Sequence, residues 1–129
     1  MKHKAIITKI HLVISVIIVV PAAIIYGFDL GFFLDLNPST LDEKNFYKAV
    51  MGVYLSFSLL WIFGVIKTKL LFAALISNSL FMLGLGLGRT ISIVFDGLPS
   101  LPYLIGTLGE FGLGLYGLWV LNSKYSKKV

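Results

Sequence analysis

The chain has no cysteine and few charged residues, and both shortages restrict what kind of protein it is. The absence of cysteine excludes disulfide bonds and thiolate metal ligands, and it gives no information on the redox compartment. Only 13% of the 129 residues are charged, whereas 57% are hydrophobic and the mean hydropathy is +0.92. Soluble domains have about 25% charged and about 45–50% apolar residues. The composition therefore excludes an ordinary water-soluble domain and indicates a polytopic membrane protein.

Four long apolar segments predict an all-α integral membrane four-helix bundle, with residues 1–129 forming a single transmembrane domain. We expect the helices at about residues 10–28, 41–66, 70–96 and 101–121. Thr40 and Glu43 have the spacing of a capping box, which predicts that the second helix begins beside them. Gly97 is placed to be the first residue past the third helix, and a short turn leads from there to the fourth.

Lysine is distributed unevenly between the segment ends. The amino terminus, the turn between the second and third helices and the carboxyl-terminal tail hold eight lysines and no acidic residue. By the positive-inside rule we expect both termini to be cytoplasmic in a multi-pass protein of the bacterial inner membrane. Because the basic residues are confined to segment ends, they do not form a phosphate-binding face. The expected partner is the lipid bilayer, and no nucleic-acid partner is predicted.

Arg89, the only arginine, lies inside an apolar segment. An unpaired arginine at the middle of a membrane costs about 2.5–3.5 kcal/mol on insertion scales. At 1.5 Å per residue, Arg89 lies about 10 Å below Asp96, and Glu110 lies about 13–14 Å below Leu101 on the next helix. A short turn makes these helices antiparallel neighbours, so we predict that Arg89 and Glu110 form an ion pair in the outer half of the membrane.

Two interpretations of this pair are open. It is either a structural clasp that fixes the register of two helices, or part of a polar pocket that opens to the outside. Ionisable groups inside a membrane usually mark functional sites, which favours the pocket. In that pocket Arg89 would hold an anionic group and Glu110 would orient it. The predicted ligand-binding residues are Arg89, Glu110, Asp96, Ser92, Asn78 and Tyr54.

Glycines of the third and fourth helices are predicted to let neighbouring helices approach closely. Gly84 and Gly88 form a GxxxG pair, and three further glycines share one face of the fourth helix, namely Gly106, Gly114 and Gly117. No cluster of His, Asp or Glu has the spacing of metal ligands, so neither a metal site nor a cofactor is expected. The two histidines, His3 and His11, are interpreted as ordinary residues at or near the cytoplasmic interface.

Three stretches of the sequence carry a resemblance to known proteins: FYKAVMGVYLSFSLLWIFG, GLGLGRTISIVFDGLPS and LGEFGLGLYG. They resemble a bacterial family of small four-span inner-membrane proteins that is catalogued only as a domain of unknown function. The resemblance covers about residues 46–121. Its most specific element is G-R-x-x-S-x-x-x-D-G-x-P, which begins at Gly88 and ends at Pro99. A fainter similarity, in size and number of spans only, is to the DoxX-like membrane proteins. The resemblance supports the fold and the location and implies no activity.

Three functions remain open at this point, and whether the protein is an enzyme is undecided. The first is the binding of a small polar, anionic or amphipathic ligand at Arg89, Asp96 and Glu110. The second is an accessory or scaffold subunit, whose glycine-rich faces bind another membrane protein or a second copy of the chain. The third is a membrane enzyme acting on a lipid or quinone, with Glu110 as acid and base. An elongated polar tunnel would favour the enzyme, and a dry, closed bundle with exposed glycine faces would favour the subunit.

Overall fold

The computed structural model describes residues 2–31 and 34–125, and all regular structure within them is helical. The four helices are α1 (Lys2–Phe28), α2 (Leu41–Ile66), α3 (Thr68–Asp96) and α4 (Leu101–Tyr125). Each helix packs along the one that follows it in the sequence. All four are long and apolar enough to cross a membrane. The predicted four-helix bundle is confirmed, and the chain is a multi-pass membrane protein.

The helices extend beyond the apolar runs at the ends where lysine is abundant. α1 begins at Lys2, although the sequence predicts a start near residue 10, and α4 continues to Tyr125 past the predicted end at 121. Hydropathy marks only the part of a helix that lies in hydrocarbon. Lysine is itself a good helix former, so the backbone continues as a helix through these polar turns.

Two helix ends carry the signals that the sequence predicts. The Thr40 Oγ1 accepts a hydrogen bond from the Glu43 backbone N–H at 3.1 Å, and the Glu43 carboxylate accepts one from the Thr40 N–H at 3.0 Å. This reciprocal capping box fixes the start of α2. Gly97 follows α3 with φ 103°, a conformation that glycine adopts without steric penalty. The turn that begins there brings α4 back alongside α3.

The outside of the bundle is apolar. Ile17, Leu80 and Leu108, on three different helices, are 65%, 67% and 74% exposed. Soluble monomers rarely expose large contiguous apolar surfaces, because water contact with such surfaces is unfavourable. In a bilayer the same side chains contact lipid tails. The exterior of the protein is therefore a lipid-contact surface.

The two ends of the bundle differ in charge. We call the end formed by the start of α1, the α2–α3 turn and the end of α4 the lysine-rich end. Its described lysines are Lys2, Lys4, Lys9, Lys67, Lys69 and Lys124, while Lys127 and Lys128 lie outside the described residues. We call the opposite end the acidic end, and it carries Asp29, Asp35, Asp42, Glu43 and Asp96. At the lysine-rich end the Lys9 ammonium donates to the Val65 carbonyl at 2.8 Å, which links α1 to the end of α2.

α1 and α4 touch over a shorter stretch than the helices that are adjacent in sequence, so a seam is left between them. The Tyr116 hydroxyl crosses this seam and donates to the Ile7 carbonyl at 2.8 Å. Toward the acidic end the seam opens into a cavity of about 410 Å³, which we call the acidic-end cavity. The fold thus places an open groove beside the helix pair that carries Arg89 and Glu110.

Candidate functional site

Arg89 on α3 and Glu110 on α4 form the ion pair that the sequence predicts. The Arg89 Nε–H donates to both carboxylate oxygens of Glu110, each at 2.9 Å. The short α3–α4 turn places the two residues at similar depth on antiparallel neighbours. Twenty-four per cent of the Arg89 side chain and 12% of the Glu110 side chain are accessible. The pair therefore lies within the bundle but is not sealed from its surroundings.

The Arg89 guanidinium uses only part of its hydrogen-bonding capacity on Glu110. An arginine side chain has five N–H groups, and the bond to Glu110 takes the one on Nε. The Tyr26 hydroxyl is a further hydrogen-bond partner of the guanidinium, and neither terminal nitrogen is buried without a partner among residues 2–31 and 34–125. The Tyr103 ring lies 5.5 Å from the Arg89 Cζ, within the range of a cation–π contact. Glu110, Tyr26 and Tyr103 thus hold the guanidinium. Its two terminal nitrogens carry four N–H groups, so it can still donate to another acceptor.

The acidic-end cavity joins this guanidinium to an apolar wall. Its volume of about 410 Å³ lies within the range of small-molecule sites, about 300–1,000 Å³. The wall comes from α1, α3 and α4 and includes Ile18, Val19, Ala22, Leu85, Ile105, Gly106, Gly109 and Leu113. The polar groups on the cavity come from Tyr26, Tyr54, Arg89, Tyr103 and Glu110. One cavity therefore offers a long hydrocarbon surface together with one cation and one carboxylate.

A second opening leads to Arg89 between α2 and α3. A second groove of about 360 Å³ borders Arg89 there, together with Tyr26, Tyr54 and Tyr103. The aromatic rings separate the two grooves, since Tyr26 packs edge-on against Tyr54 with centroids 5.8 Å apart. The guanidinium therefore lies where two grooves meet. Within the described residues, no three His, Asp or Glu side chains come close enough to hold a metal ion.

The six predicted ligand-binding residues do not form one cluster. Arg89, Glu110 and Tyr54 border the acidic-end cavity, whereas Ser92, Asp96 and Asn78 do not. Ser92 donates to the Asp96 carboxylate at 2.8 Å on an exposed surface of α3. Asp96 shares a helical face with Arg89, but seven residues of helix place it about 10 Å further toward the acidic end. The structure thus separates the exposed Ser92–Asp96 pair from the cavity, and it places Asn78 deep in the core with 0% exposure.

The five predicted packing glycines also divide into two groups. A Cβ atom at Gly114 would lie 2.6 Å from Leu83 Cγ, and one at Gly117 would contact Ser79 and His11, so these two positions require the close approach of α3 or α1. At Gly84, Gly88 and Gly106, no atom from another described part of the chain lies within 4 Å of the Cβ position. Within the single chain no described helix packs on these three glycines. They border the two grooves beside Arg89 instead.

Sequence reasoning missed Tyr26, Tyr103 and His11. Tyr103 lies seven residues before Glu110, two helical turns along the same face of α4, and this spacing was a signal for a shared site. His11 is not an ordinary residue at the interface, because it is 1% exposed in the core of the bundle. The i, i+4 spacing of His11 and Ser15 marks the polar stripe of α1 that turns inward, and Ser15 is also completely buried.

The family model described as "Domain of unknown function (DUF4345)" matches residues 7–121, and the chain belongs to this family. The match confirms the resemblance to a family catalogued as a domain of unknown function and extends it over most of α1. No curated protein and no solved structure matches the chain. Since the family brings no activity, the functional argument depends on the chemistry of the cavity.

Proposed function

We propose that this DUF4345 protein binds an amphipathic anion in the acidic-end cavity. Such a molecule has a single carboxylate or phosphate group joined to a hydrocarbon chain. The observation that carries the proposal is the Arg89 guanidinium at one end of an apolar cavity, which has more N–H groups than Glu110 and Tyr26 occupy among the described residues. The cavity is neither an elongated polar tunnel nor a closed, dry core, so it favours ligand binding over the other two hypotheses.

The head group of the ligand would bind the outer edge of the guanidinium. Planar arginine presents pairs of N–H groups that match carboxylate and phosphate oxygens, and such charge-assisted bonds are about twice as strong as neutral ones. Glu110 accepts from Nε on the opposite side and so fixes the plane of the group. Because Glu110 also balances the charge of Arg89, the empty site does not bury an unpaired cation.

The hydrocarbon chain of the ligand would lie along the seam between α1 and α4. Ile18 and Ile105 line opposite sides of this seam, and Ile105 is 60% exposed to the surrounding lipid. A molecule dissolved in the bilayer could therefore enter sideways without crossing water. Exchange of lipid contacts for protein contacts gives little hydrophobic driving force. We therefore infer that the head group supplies most of the affinity and the seam selects molecules with an apolar chain.

We further propose that the lysine-rich end faces the cytoplasm of a bacterial inner membrane, which puts the cavity in the outer half of the bilayer. The eight lysines of the amino terminus, the α2–α3 turn and the carboxyl-terminal tail, with no acidic residue in these segments of the sequence, support this orientation. The chain has no cysteine, so single-cysteine variants report one position each. A membrane-impermeant maleimide should label Asp35→Cys in intact spheroplasts and should label Thr68→Cys only after lysis. The reverse pattern would overturn the orientation.

The binding proposal is tested with a palmitate analogue that carries a diazirine, photoactivated in membranes containing the protein. We expect cross-links on the walls of the acidic-end cavity. Arg89→Lys keeps a cation beside Glu110 but lacks the planar fork, and we expect it to reduce cross-linking about tenfold, which corresponds to about 1.4 kcal/mol. A diazirine-bearing phosphatidic acid, compared in the same way, distinguishes a carboxylate from a phosphate head group.

A pair of glycine variants supplies the matched control. At both Gly109 and Gly112, no atom of another described segment lies within 4 Å of the position that a Cβ atom would occupy, so both tolerate a larger side chain. Only Gly109 borders the acidic-end cavity. Gly109→Leu should therefore block cross-linking while Gly112→Leu leaves it unchanged. Equal cross-linking in wild type, Arg89→Lys and Gly109→Leu would show that the cavity is not the binding site.

One observation favours an accessory subunit as a second candidate. The surfaces above Gly84 and Gly88 are free of contacts within the described part of the chain, and small residues at this spacing let another membrane helix approach. If a partner helix packs there, Gly84→Leu should dissociate a complex that survives extraction in mild detergent. Gly112→Leu is again the control, because it adds the same side chain to an open surface elsewhere. An unchanged complex in Gly84→Leu would exclude this surface.

A further inference from the structure

A layer of buried polar side chains crosses the bundle about a third of the way from its lysine-rich end. We call it the polar layer, and it consists of His11 on α1, Ser58 on α2 and Asn78 with Ser79 on α3. Each of these side chains is at most 1% exposed. None of them borders the acidic-end cavity, so the polar layer is separate from the proposed ligand site. Its position in hydrocarbon makes the hydrogen bonding of each group important, because lipid cannot supply a partner.

Contacts between the helices place these residues at one level. Trp61 on α2 donates from its indole Nε1 to the Ser77 Oγ on α3 at 3.2 Å, and Ser58 lies one turn from Trp61 while Asn78 follows Ser77. On the other side of α3, a Cβ atom at Gly117 would lie 3.3 Å from His11 Nε2 and would contact Ser79 Oγ. His11 and Ser79 therefore meet beside Gly117. This level is about 16 Å from the start of α3, a little over a third of the way along that 29-residue helix from the lysine-rich end.

Five atoms of the polar layer have no hydrogen-bond partner among the described residues. They are both ring nitrogens of His11, the Ser58 hydroxyl and both polar atoms of the Asn78 amide. Ser58 is unusual in this respect. Six other hydroxyl side chains donate to the carbonyl four residues earlier, including the Ser79 Oγ, which donates to the Leu75 carbonyl at 3.0 Å. Buried polar groups in proteins are almost always paired with protein atoms or with ordered water.

The donors and acceptors among these unpaired atoms restrict which molecules the polar layer can bind. Asn78 offers two donors and an acceptor, Ser58 offers both functions, and a neutral His11 has one donor and one acceptor. None of the four side chains carries a fixed charge, so the layer does not favour a cation or an anion. We propose that the polar layer binds ordered water molecules, which bridge α1, α2 and α3. Water both donates and accepts, and the burial of every member of the layer isolates such molecules from bulk solvent.

Solution NMR tests this proposal directly on the unmodified protein. The chain has two histidines, and the exposed His3 is an internal control for His11. In ¹⁵N-histidine-labelled protein in lipid nanodiscs, we expect cross-relaxation between the His11 ring protons and long-lived water, and only rapid solvent exchange at His3. If the His11 ring shows no contact with water, or contacts protons of an organic guest instead, the proposal is wrong.

Thermal unfolding of variants gives an independent test. Ser58→Ala removes only the hydroxyl, and Asn78→Leu replaces the amide with an apolar group of similar shape. If water completes their hydrogen bonds, both variants should melt about 3–6 °C below wild type. Ser56→Ala on the same helix removes an exposed hydroxyl that bonds to its own helix, and it should change the melting temperature by less than about 2 °C. If the amide were unpaired, Asn78→Leu would raise the melting temperature, which would overturn the proposal.

Discussion

Removal of either member of the Arg89–Glu110 pair should destabilise the protein more than removal of both. Glu110→Gln leaves an arginine inside the bundle without its anion, and Arg89→Gln leaves a carboxylate without its cation. Breaking one side of a fully buried pair costs about 3–5 kcal/mol. Because 24% of the arginine and 12% of the glutamate side chain is accessible, we expect a smaller loss of about 2–3 kcal/mol for each single variant.

The double variant Arg89→Gln/Glu110→Gln replaces both charges with neutral amides, which can hydrogen-bond to each other. We expect it to lose only about 1–2 kcal/mol, so the coupling energy of the cycle is about 2–5 kcal/mol. The assay is reversible unfolding in mixed detergent micelles, followed by circular dichroism. All four proteins are measured in one detergent, so that the unfolded reference state is the same for each.

The Ser92–Asp96 pair supplies the matched control for this cycle. These side chains also form a hydrogen bond, at 2.8 Å, but on an exposed surface of the same helix. Ser92→Ala and Asp96→Asn should therefore combine additively, with a coupling energy below about 0.5 kcal/mol. If the Arg89 and Glu110 variants were also additive within about 0.5 kcal/mol, the pair would contribute nothing measurable and the account of the site would fail.

Three further substitutions, one of them paired with a control variant, test the fold through the same unfolding measurement. Thr40→Ala removes half of the capping box and should cost about 1 kcal/mol, and an unchanged stability would show that the cap is not used in a membrane. Gly114→Val should destabilise by more than about 2 kcal/mol, a typical cost of overpacking, whereas Gly112→Val should be nearly neutral. Trp61→Phe removes the donor to Ser77 and part of a fully buried ring, so we expect a loss of about 1–3 kcal/mol, and no loss would contradict the register of α2 and α3.

The Arg89–Glu110 pair could be predicted from the sequence because its causes are local. Each residue is a lone charge in an apolar run. Because the turn at Gly97 is short, α3 and α4 must lie antiparallel and adjacent. The rise per residue then gives the depth of each charge. Helical periodicity alone could not separate Asp96 from Arg89, since both lie on one face of α3. Only the packed bundle shows that α3 is already exposed at the level of Asp96.

Neither the polar layer nor the acidic-end cavity could be predicted from the sequence. His11 follows Lys9 closely, and a position near a basic segment suggests an interface. Burial of His11 results instead from the packing of α1 against α4, where Gly117 leaves room for the ring. Likewise, the glycine spacing predicts close packing at Gly84, Gly88 and Gly106. Whether a glycine faces a helix or a groove depends on the angles at which helices part, α1 from α4 at Gly106 and α2 from α3 at Gly84 and Gly88, and no local pattern specifies these angles.

Native mass spectrometry of the protein extracted from its membrane tests the central claim most directly. If the acidic-end cavity binds an amphipathic anion, the 14.2 kDa chain should carry an adduct, a fatty acid or phospholipid by mass, that fragments to a carboxylate or a phosphate. The adduct should be absent from Gly109→Leu and present in Gly112→Leu, because only the first side chain fills the cavity. An extracted protein without any adduct, or the same adduct on both variants, would contradict the claim.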